Sequence, residues 1–513
     1  MAYLLGLDIG TSGVKALLLG TGGEIVATAT SSEYPLYAPR PQWAEQDPED
    51  WWKACIEATL QVLSKACVAG SEVQGIGLSG QMHGSVFLDE KNHVIRPALL
   101  WCDQRTGKQC DYITQTVGLD TIVEELSNPV LTGFTAPKIV WLRDNEPENF
   151  ERVRKILLPK DYIRFRLTGE FASEVSDASG TALFNVKKRK WSEAVVSKLE
   201  LDMDWLPPVF ESPEVSARVN SEGAVALGLK AGTPVVGGGG DQAAGAVGNG
   251  IVQPGIVSST LGTSGVVFAF AEEPFIDPEL RVHTFCHAVP GKWHVMGVML
   301  SAGGSYRWLR DAICSEEKSL AARTGRDPYE YMGEQAAKAP AGSEGLLFLP
   351  YLTGERTPYP NPDAKGVFCG LTLRHGKEHI IRSVMEGVAF GLKDSFEILS
   401  GMGVSVSAVR ASGGGARSKL WRQIQASITG QAHRLINVDE GGSLGVALLA
   451  GVGTGVWSTV EEACGAVIKD ASSEAPLVEW QQVYAELYPL YQRLYAQLKG
   501  SFADLSRLVS KWH

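Results

Sequence analysis

The sequence predicts an α/β protein built from two related lobes, on two observations. The string Gly-Thr-Ser-Gly-Val occurs twice, at Gly10–Val14 and Gly262–Val266, about half a chain length apart in the 513 residues. Each copy sits beside an apolar, strand-like run, Leu4–Leu7 before the first and Val266–Phe270 in the second. A recurrence with matching context reads as a duplicated unit that presents one such loop per lobe. The second observation is the opening order of strand, glycine turn, strand, helix and further strands, the layout of a mixed sheet. The expected lobes are residues 1–249 and 250–513, joined by short crossings near 249–254, because no low-complexity linker intervenes.

The elements follow in order. Strands are expected at 3–8, 14–19 and 24–30, turning at Gly10–Gly13 and Gly20–Gly23. Asp47 is a good N-cap, Pro48 suits the first helical position, and Glu49 and Asp50 complement the helix dipole. The helix body runs from Trp51 to about Ala66, with Trp52, Ile56, Leu60 and Leu63 as its apolar stripe. Strands recur near 73–79, 84–88 and 94–101. Residues 135–230 read as mostly helical, and Val235-Val236 is a short strand entering Gly237–Gly240. Gln242–Ala271 is uncharged. Its glycines, Asn249, Gln253 and Pro254 suit two buried strands joined by glycine loops rather than a membrane span. An amphipathic helix is expected over about 474–510.

Composition narrows the function classes. Hydrophobic residues are 44% and charged residues 20%, which excludes a disordered chain. The net charge is −11, so neither a nucleic-acid nor a membrane partner is expected. The eight cysteines include no C-x-x-C pair and read as reduced, mostly buried thiols of a cytoplasmic protein. The N-terminus lacks the basic region of a secretory signal.

The glycine loops carry the chemistry. No G-x-x-x-x-G-K-[ST] exists, which excludes a Walker loop. Gly238–Ala243 fits the weak dinucleotide pattern, but Asp241 would place a carboxylate where a pyrophosphate should lie. In Asp8-Ile9-Gly10-Thr11-Ser12-Gly13-Val14-Lys15, glycines let backbone N–H groups converge on phosphate oxygens. The Thr11 and Ser12 hydroxyls add donors, and Lys15 adds a charge. Asp8 is useful beside a phosphate only with a cation between them, and Mg²⁺ suits that role. Ser412–Ser418 is a third glycine loop, between a strand and a helix, open to a base or ribose or serving as a turn. Asp241, at a strand end beyond four glycines, is placed to take a proton from a hydroxyl, to cap a helix, or both. His283-x-x-Cys286-His287 lacks a fourth metal ligand and reads as a buried strand. Arg307–Asp311 reads as a solvated helix face.

Asp8–Ser12, Gly240-Asp241-Gln242, Gly262–Gly265 and Gly413–Gly415 occur in the order expected of the FGGY carbohydrate kinases, which the chain resembles over nearly its whole length. Longer strings, Gly133–Asn145 and Gly366–Glu386, match as well. The resemblance implies two ribonuclease-H-like lobes of the actin and hexokinase type, with ATP in the central cleft. It implies that Asp241 is the general base, and that Met82, His83, Asp103, Arg105 and Gln242 contact the sugar. Thr11, Ser12, Gly13, Lys15, Gly262 and Thr263 would grip phosphates. Gly303, Gly413, Gly414 and Ser418 would face adenosine, and Asp8 the Mg²⁺. The strings Trp43–Pro48, Gly80–Gly84, Leu158–Tyr162 and Tyr351–Pro358 look most like members that phosphorylate a ketopentose. Met82-His83 stands where glycerol-using members carry Arg-Glu. Gluconate-using members also show Gln-Met-His, and Gln242 replaces an Asn of some relatives. Ribulose or polyol acceptors, and an actin-like ATPase with no sugar substrate, are the alternatives. ATP turnover that requires sugar separates the ATPase from the rest. A homodimer is an open expectation.

Overall fold

A computed structural model describes residues 2–512. The chain opens with strands β1 (Tyr3–Ile9), β2 (Val14–Gly20) and β3 (Ile25–Thr30), an antiparallel meander as the alternation requires. Helix α1 (Pro48–Ala66) starts where Asp47 Oδ1 accepts the Glu49 N–H at 2.9 Å, and ends at Cys67 in the left-handed region, φ 54°. Its buried face keeps Trp52 and Leu63 of the expected stripe and departs from it at Leu60. Trp51, Cys55, Ala58 and Val62 pack inward, while Leu60 is 46% exposed. The small Cys55 and Ala58 let the helix lie close over β2 and β3.

Strand β4 (Val73–Gly80) runs parallel to β1. The stretch that follows holds α2 (Thr135–Asn145), α3 (Pro159–Thr168) and several strands of two to four residues, too brief to show as alternation. The strands expected at 84–88 and 94–101 shorten to Val86–Leu88 and Ala98–Leu99. Strands β5 (Val215–Arg218), β6 (Pro234–Val236) and β7 (Gly239–Gly240) complete the first sheet, in the order β5-β6-β4-β1-β2-β3 with β7 also on β4.

Helix α4 (Asp241–Gly248) occupies the first part of the run expected to be strand. Its glycines mislead at sequence level. A Cβ on Gly248 would lie 2.0 Å from the Gly441 oxygen, so this glycine serves close helix contact rather than a loop. The two strands expected in the remainder are present as β8 (Gly255–Leu261) and β9 (Gly265–Ala271). Then come β10 (His283–Cys286), β11 (Trp293–Met299), α5 (Gly303–Ala312) and α6 (Lys377–Gly401). After them lie β12 (Val406–Ser412), α7 (Lys419–Thr429), β13 (His433–Ile436), α8 (Gly441–Gly453), β14 (Asp470–Glu474) and α9 (Val478–Val509). The second sheet is ordered β10-β11-β9-β8-β12-β13-β14.

The duplication is visible in the topology. In each sheet an antiparallel hairpin, β1–β2 or β8–β9, carries the repeated string, and its first strand pairs in parallel with a later one, β4 or β12. These are two ribonuclease-H-like lobes. One apolar cluster fills α1 against the first sheet. On the opposite face α8, late in the chain, packs on β1 and β4. Gly6 and Gly77 permit this, since a Cβ there would lie 1.9 Å from the Ser443 oxygen and 2.0 Å from the Val446 oxygen. Helix α4 packs against α8, so both lobes share that core.

All eight cysteines are free, with Cys55, Cys110, Cys286, Cys314 and Cys464 buried and Cys67 and Cys369 exposed. No helix among the described residues is long and apolar enough to cross a membrane. His283–Cys286 is a buried strand, and no cluster of metal-binding side chains forms among the described residues. In α5, Arg307 and Asp311 face solvent while Leu309 is buried.

Candidate active site

The first hairpin loop, Gly10–Gly13, is held by its carbonyls. Gly10 N–H donates to the Gly13 oxygen at 3.0 Å, and Tyr34 N–H to the Ser12 oxygen at 3.2 Å. The Tyr34 hydroxyl donates to the Gly10 oxygen, and Gln46 Nε2 to the Thr11 oxygen at 2.7 Å. The N–H groups of Thr11, Ser12 and Gly13 have no acceptor among the described residues. A turn with carbonyls tied back and N–H groups free is an anion cradle. Trp101 Nε1 donates to Thr11 Oγ1 at 3.0 Å, and Thr11 Oγ1 to Gln81 Oε1 at 3.3 Å.

The second loop repeats the device with other parts. The Gly262 oxygen accepts Gly303 N–H at 2.9 Å. The Thr263 oxygen accepts Ala302 N–H at 3.0 Å and Gly304 N–H at 2.9 Å. The Ser264 oxygen takes Gly262 N–H at 3.0 Å, leaving the Thr263 and Ser264 N–H groups without an acceptor among the described residues. The third loop packs on this one. Gly413, at φ +80°, would place a Cβ 2.8 Å from the Leu261 oxygen, whereas Gly414 is exposed with open space beside it. Ser418 accepts Trp421 N–H at 3.3 Å and caps α7.

Asp8 ends β1. Its Oδ1 is shielded from solvent and has no hydrogen-bond partner. Burial pushes its carboxyl up, against the Ser79 hydroxyl and the Lys15 charge, which pull it down. The start of α8 rests on it: a Cβ at Gly442 would lie 2.9 Å from Asp8 Oδ2. The positive end of that helix dipole favours a carboxylate there. Lys15 is not free as the sequence suggested. It pairs with Glu440 across the lobes at 2.6 Å.

Asp241 is the first residue of α4, and Gly240, not Asp241, is the N-cap. Burial and the Asp8 charge push the Asp241 carboxyl up to about 7, opposed by the backbone and side-chain amides of Gln242. A carboxyl poised there exchanges protons near neutral pH.

What holds Asp241 was not legible as function. Gly240 N–H donates to Glu174 Oε1 at 3.2 Å and to Ser176 Oγ at 3.1 Å. Glu174 also accepts Ser176 N–H at 2.7 Å, Asp177 N–H at 2.7 Å and Ser212 Oγ at 3.1 Å. Behind it the fully buried Lys160 lies 2.6 Å from Asp161 and 3.2 Å from Asp177. Arg164 donates to the Val236 and Gly237 oxygens at 2.6 Å each, fixing the strand that leads to Asp241. Burial and the neighbouring carboxylates push the Asp177 carboxyl well up, against the Lys160 charge, which pulls it down. The available signal was a run of charges on α3 with no solvent face.

Met82-His83, expected from the family resemblance to contact sugar, forms a tight turn beside Gly240. A Cβ on Gly240 would lie 2.9 Å from Met82 Cγ, which places Met82 against the residue before Asp241. His83 adopts φ +67°, stacks on Phe134 at 4.6 Å, and meets the Gly180 oxygen through Nδ1 at 2.6 Å. Nδ1 therefore donates, and burial with the Lys138 charge holds the ring neutral, its pKa down to about 3. Nε2 is left as an acceptor for a hydroxyl. Lys138, missed at sequence level, donates to the His83 oxygen at 2.8 Å and the Gly133 oxygen at 2.6 Å. Asp103 and Arg105 are spent on each other. Asp103 also accepts Ala44 N–H at 2.7 Å, while the Arg105 guanidinium reaches Glu45 at 2.7 Å and lies 3.5 Å over Trp43.

Comparison with known proteins agrees with this geometry. Residues 3–248 match the N-terminal domain, and residues 257–454 the C-terminal domain, of the FGGY family of carbohydrate kinases. The chain is 41% identical over 497 residues to the xylulose kinase of Escherichia coli K12, covering 96% of this chain and 99% of that protein. It is 31% identical over 507 residues to the gluconokinase of Bacillus subtilis, covering 98% of each. The crystal structure of a xyloylose kinase from Brucella ovis superposes with a TM-score of 0.89 at 37% identity, covering 97% of this chain and 99% of that one. Both domain matches and the near-full-length relatives agree, and the chain belongs to the FGGY family of carbohydrate kinases as an ATP-dependent sugar kinase.

Proposed function

We propose that this kinase phosphorylates a ketopentose, D-xylulose, on its O5 hydroxyl, with Asp241 as general base. The observation that carries the reading is the Asp241 carboxyl at about 7, beside Met82 and within reach of the Asp8 charge. Near-full-length similarity to proteins named xylulose kinase supports the sugar.

The reaction divides among the residues as follows. Met82 and the His83 Nε2 acceptor orient the sugar. Asp241 accepts the hydroxyl proton as the new O–P bond forms. The free N–H groups of the two hairpins hold the phosphate oxygens in place. Gly413, Gly414 and Ser418 line the adenosine side. Asp8 and Asp241 offer only hard oxygen donors, one of them unpartnered, which fits Mg²⁺; when bound it supplies charge to offset the polyphosphate.

Asp241→Asn is expected to fold and bind ATP but to lose roughly 10²–10⁴-fold in turnover with xylulose. The native rate is expected to rise with pH through about 7 and then level, because the base works ionised. A coupled-kinase panel of xylulose, ribulose, gluconate, erythritol and glycerol tests the acceptor. Near-native turnover by the Asn variant would overturn the base, and preference for another sugar would overturn the substrate.

A further inference from the structure

Met82 and His83 lean on a glycine far away in the chain. A Cβ at Gly180 would lie 2.5 Å from both Cε1 and Nδ1 of His83, and 3.0 Å from Met82 Cε. Gly240 bounds Met82 from a different segment, with a Cβ there 2.9 Å from Met82 Cγ and 3.0 Å from its Sδ. Two glycines from separate stretches thus form one seat for the Met82-His83 pair. The backbone of Gly180 is not in the left-handed region, so the demand for glycine at 180 is one of space alone.

The His83 ring cannot yield that space freely. Its carbonyl accepts Thr135 Oγ1 at 3.1 Å and Lys138 Nζ at 2.8 Å. Its face stacks on Phe134, with ring centroids 4.6 Å apart and planes at 22°. Its Nδ1 donates to the Gly180 oxygen at 2.6 Å. Gly180 cannot retreat either. Ser179 Oγ donates to the Val175 oxygen at 2.7 Å and accepts the Cys286 N–H, from the second lobe, at 3.1 Å. Thr181 Oγ1 donates to the Ala178 oxygen at 2.7 Å and accepts the Leu183 N–H at 3.2 Å. At the other end of this strap Glu174 accepts the Gly240 N–H. A methyl group added at 180 therefore has to move the two side chains in front of it, as overpacking does in any close-packed interior.

We infer that Gly180 is a positioning residue for the acceptor. By lacking a side chain it seats the His83 ring and the Met82 thioether, and its carbonyl fixes which ring nitrogen is left to meet a hydroxyl. The three atoms nearest a Cβ at 180 all belong to Met82 and His83, so the effect of filling that space falls on the sugar and not on the nucleotide loops. The inference rests on the acceptor role proposed above for Met82 and His83.

The test measures kcat and KM for D-xylulose and for ATP in the native enzyme, Gly180→Ala, His83→Ala and the double variant. Thermal unfolding checks folding, and a crystal structure of Gly180→Ala locates the ring. That structure is expected to show His83 displaced from its stack on Phe134. Gly180→Ala is expected to raise the KM for xylulose about tenfold or more and to leave the KM for ATP within about twofold. In the double variant the displaced ring is gone, so its KM for xylulose should match that of His83→Ala. A ring still in place in Gly180→Ala overturns the seat, and so does a Gly180→Ala penalty that adds in full to that of His83→Ala. Equal losses toward sugar and ATP with a lowered melting temperature reduce Gly180 to a folding residue and overturn the inference. A displaced ring with a native KM for xylulose, in Gly180→Ala and His83→Ala alike, overturns instead the acceptor role on which the inference rests. Should the sugar panel select another acceptor, the pentulose reading falls, and the same comparison run with that acceptor decides the role of Gly180.

Discussion

The two hairpins share a five-residue string and a purpose, yet they are braced in different ways. In the first, three of the loop carbonyls are held from outside by Tyr34 and Gln46, and its threonine is reached by Trp101. In the second, the holding groups are the N–H donors of Ala302, Gly303 and Gly304 at the start of α5. The first turn spans Gly10–Gly13 between the paired Ile9 and Val14. The second closes one residue tighter, with Leu261 paired to Gly265. Duplication preserved the logic of tied carbonyls and free N–H groups. It did not preserve the ties, because any donor that satisfies the carbonyl serves.

The largest effect follows from the backbone brace. A Cβ at position 303 would lie 2.4 Å from the Gly262 oxygen. Gly303→Val should displace the second loop and lower kcat/KM for ATP by about a hundredfold, ~3 kcal/mol, in steady-state kinetics. Retained activity would mean the second loop tolerates loss of its brace.

A smaller loss is expected in the first lobe. Gln46 is fully buried and joins the Thr11 oxygen, Trp51 Nε1 at 2.9 Å and Gln81 Nε2 at 3.0 Å. Gln46→Ala strands those groups at about 1–3 kcal/mol. A lower melting temperature and a KM for ATP raised about tenfold should appear together. Tyr34→Phe removes one neutral bond, about 0.5–1.5 kcal/mol, and should shift that KM only severalfold.

The smallest effect concerns Lys15. Its pair with Glu440 is part-exposed, so breaking it should cost within about 1 kcal/mol in denaturant titration. If Lys15 also serves the polyphosphate, Lys15→Ala raises the KM for ATP and Glu440→Gln does not. Equal kinetic effects would confine Lys15 to the lobe contact.

Much of the site was legible because it is local. Asp8, the two glycine loops and Asp241 sit at strand ends, and strand ends announce themselves by alternation that stops at glycine. The misreadings have a common cause. Gly245 and Gly248 suggested a loop but belong to a helix pressed against α8. Leu60 looked apolar enough for the core but lies on the outer side of α1. Asp103 and Arg105 looked available, but each satisfies the other.

By itself the sequence determined the duplicated lobes, the hairpins and the acid at the head of α4, since each depends on residue types a few positions apart. Only the tertiary structure decided which groups brace those loops, and that Glu174 and Lys160 stand behind Gly240 and Asp241. Such relations join residues far apart in the chain. A buried charge or carbonyl accepts whatever partner the packing delivers, and no local pattern records which one that is.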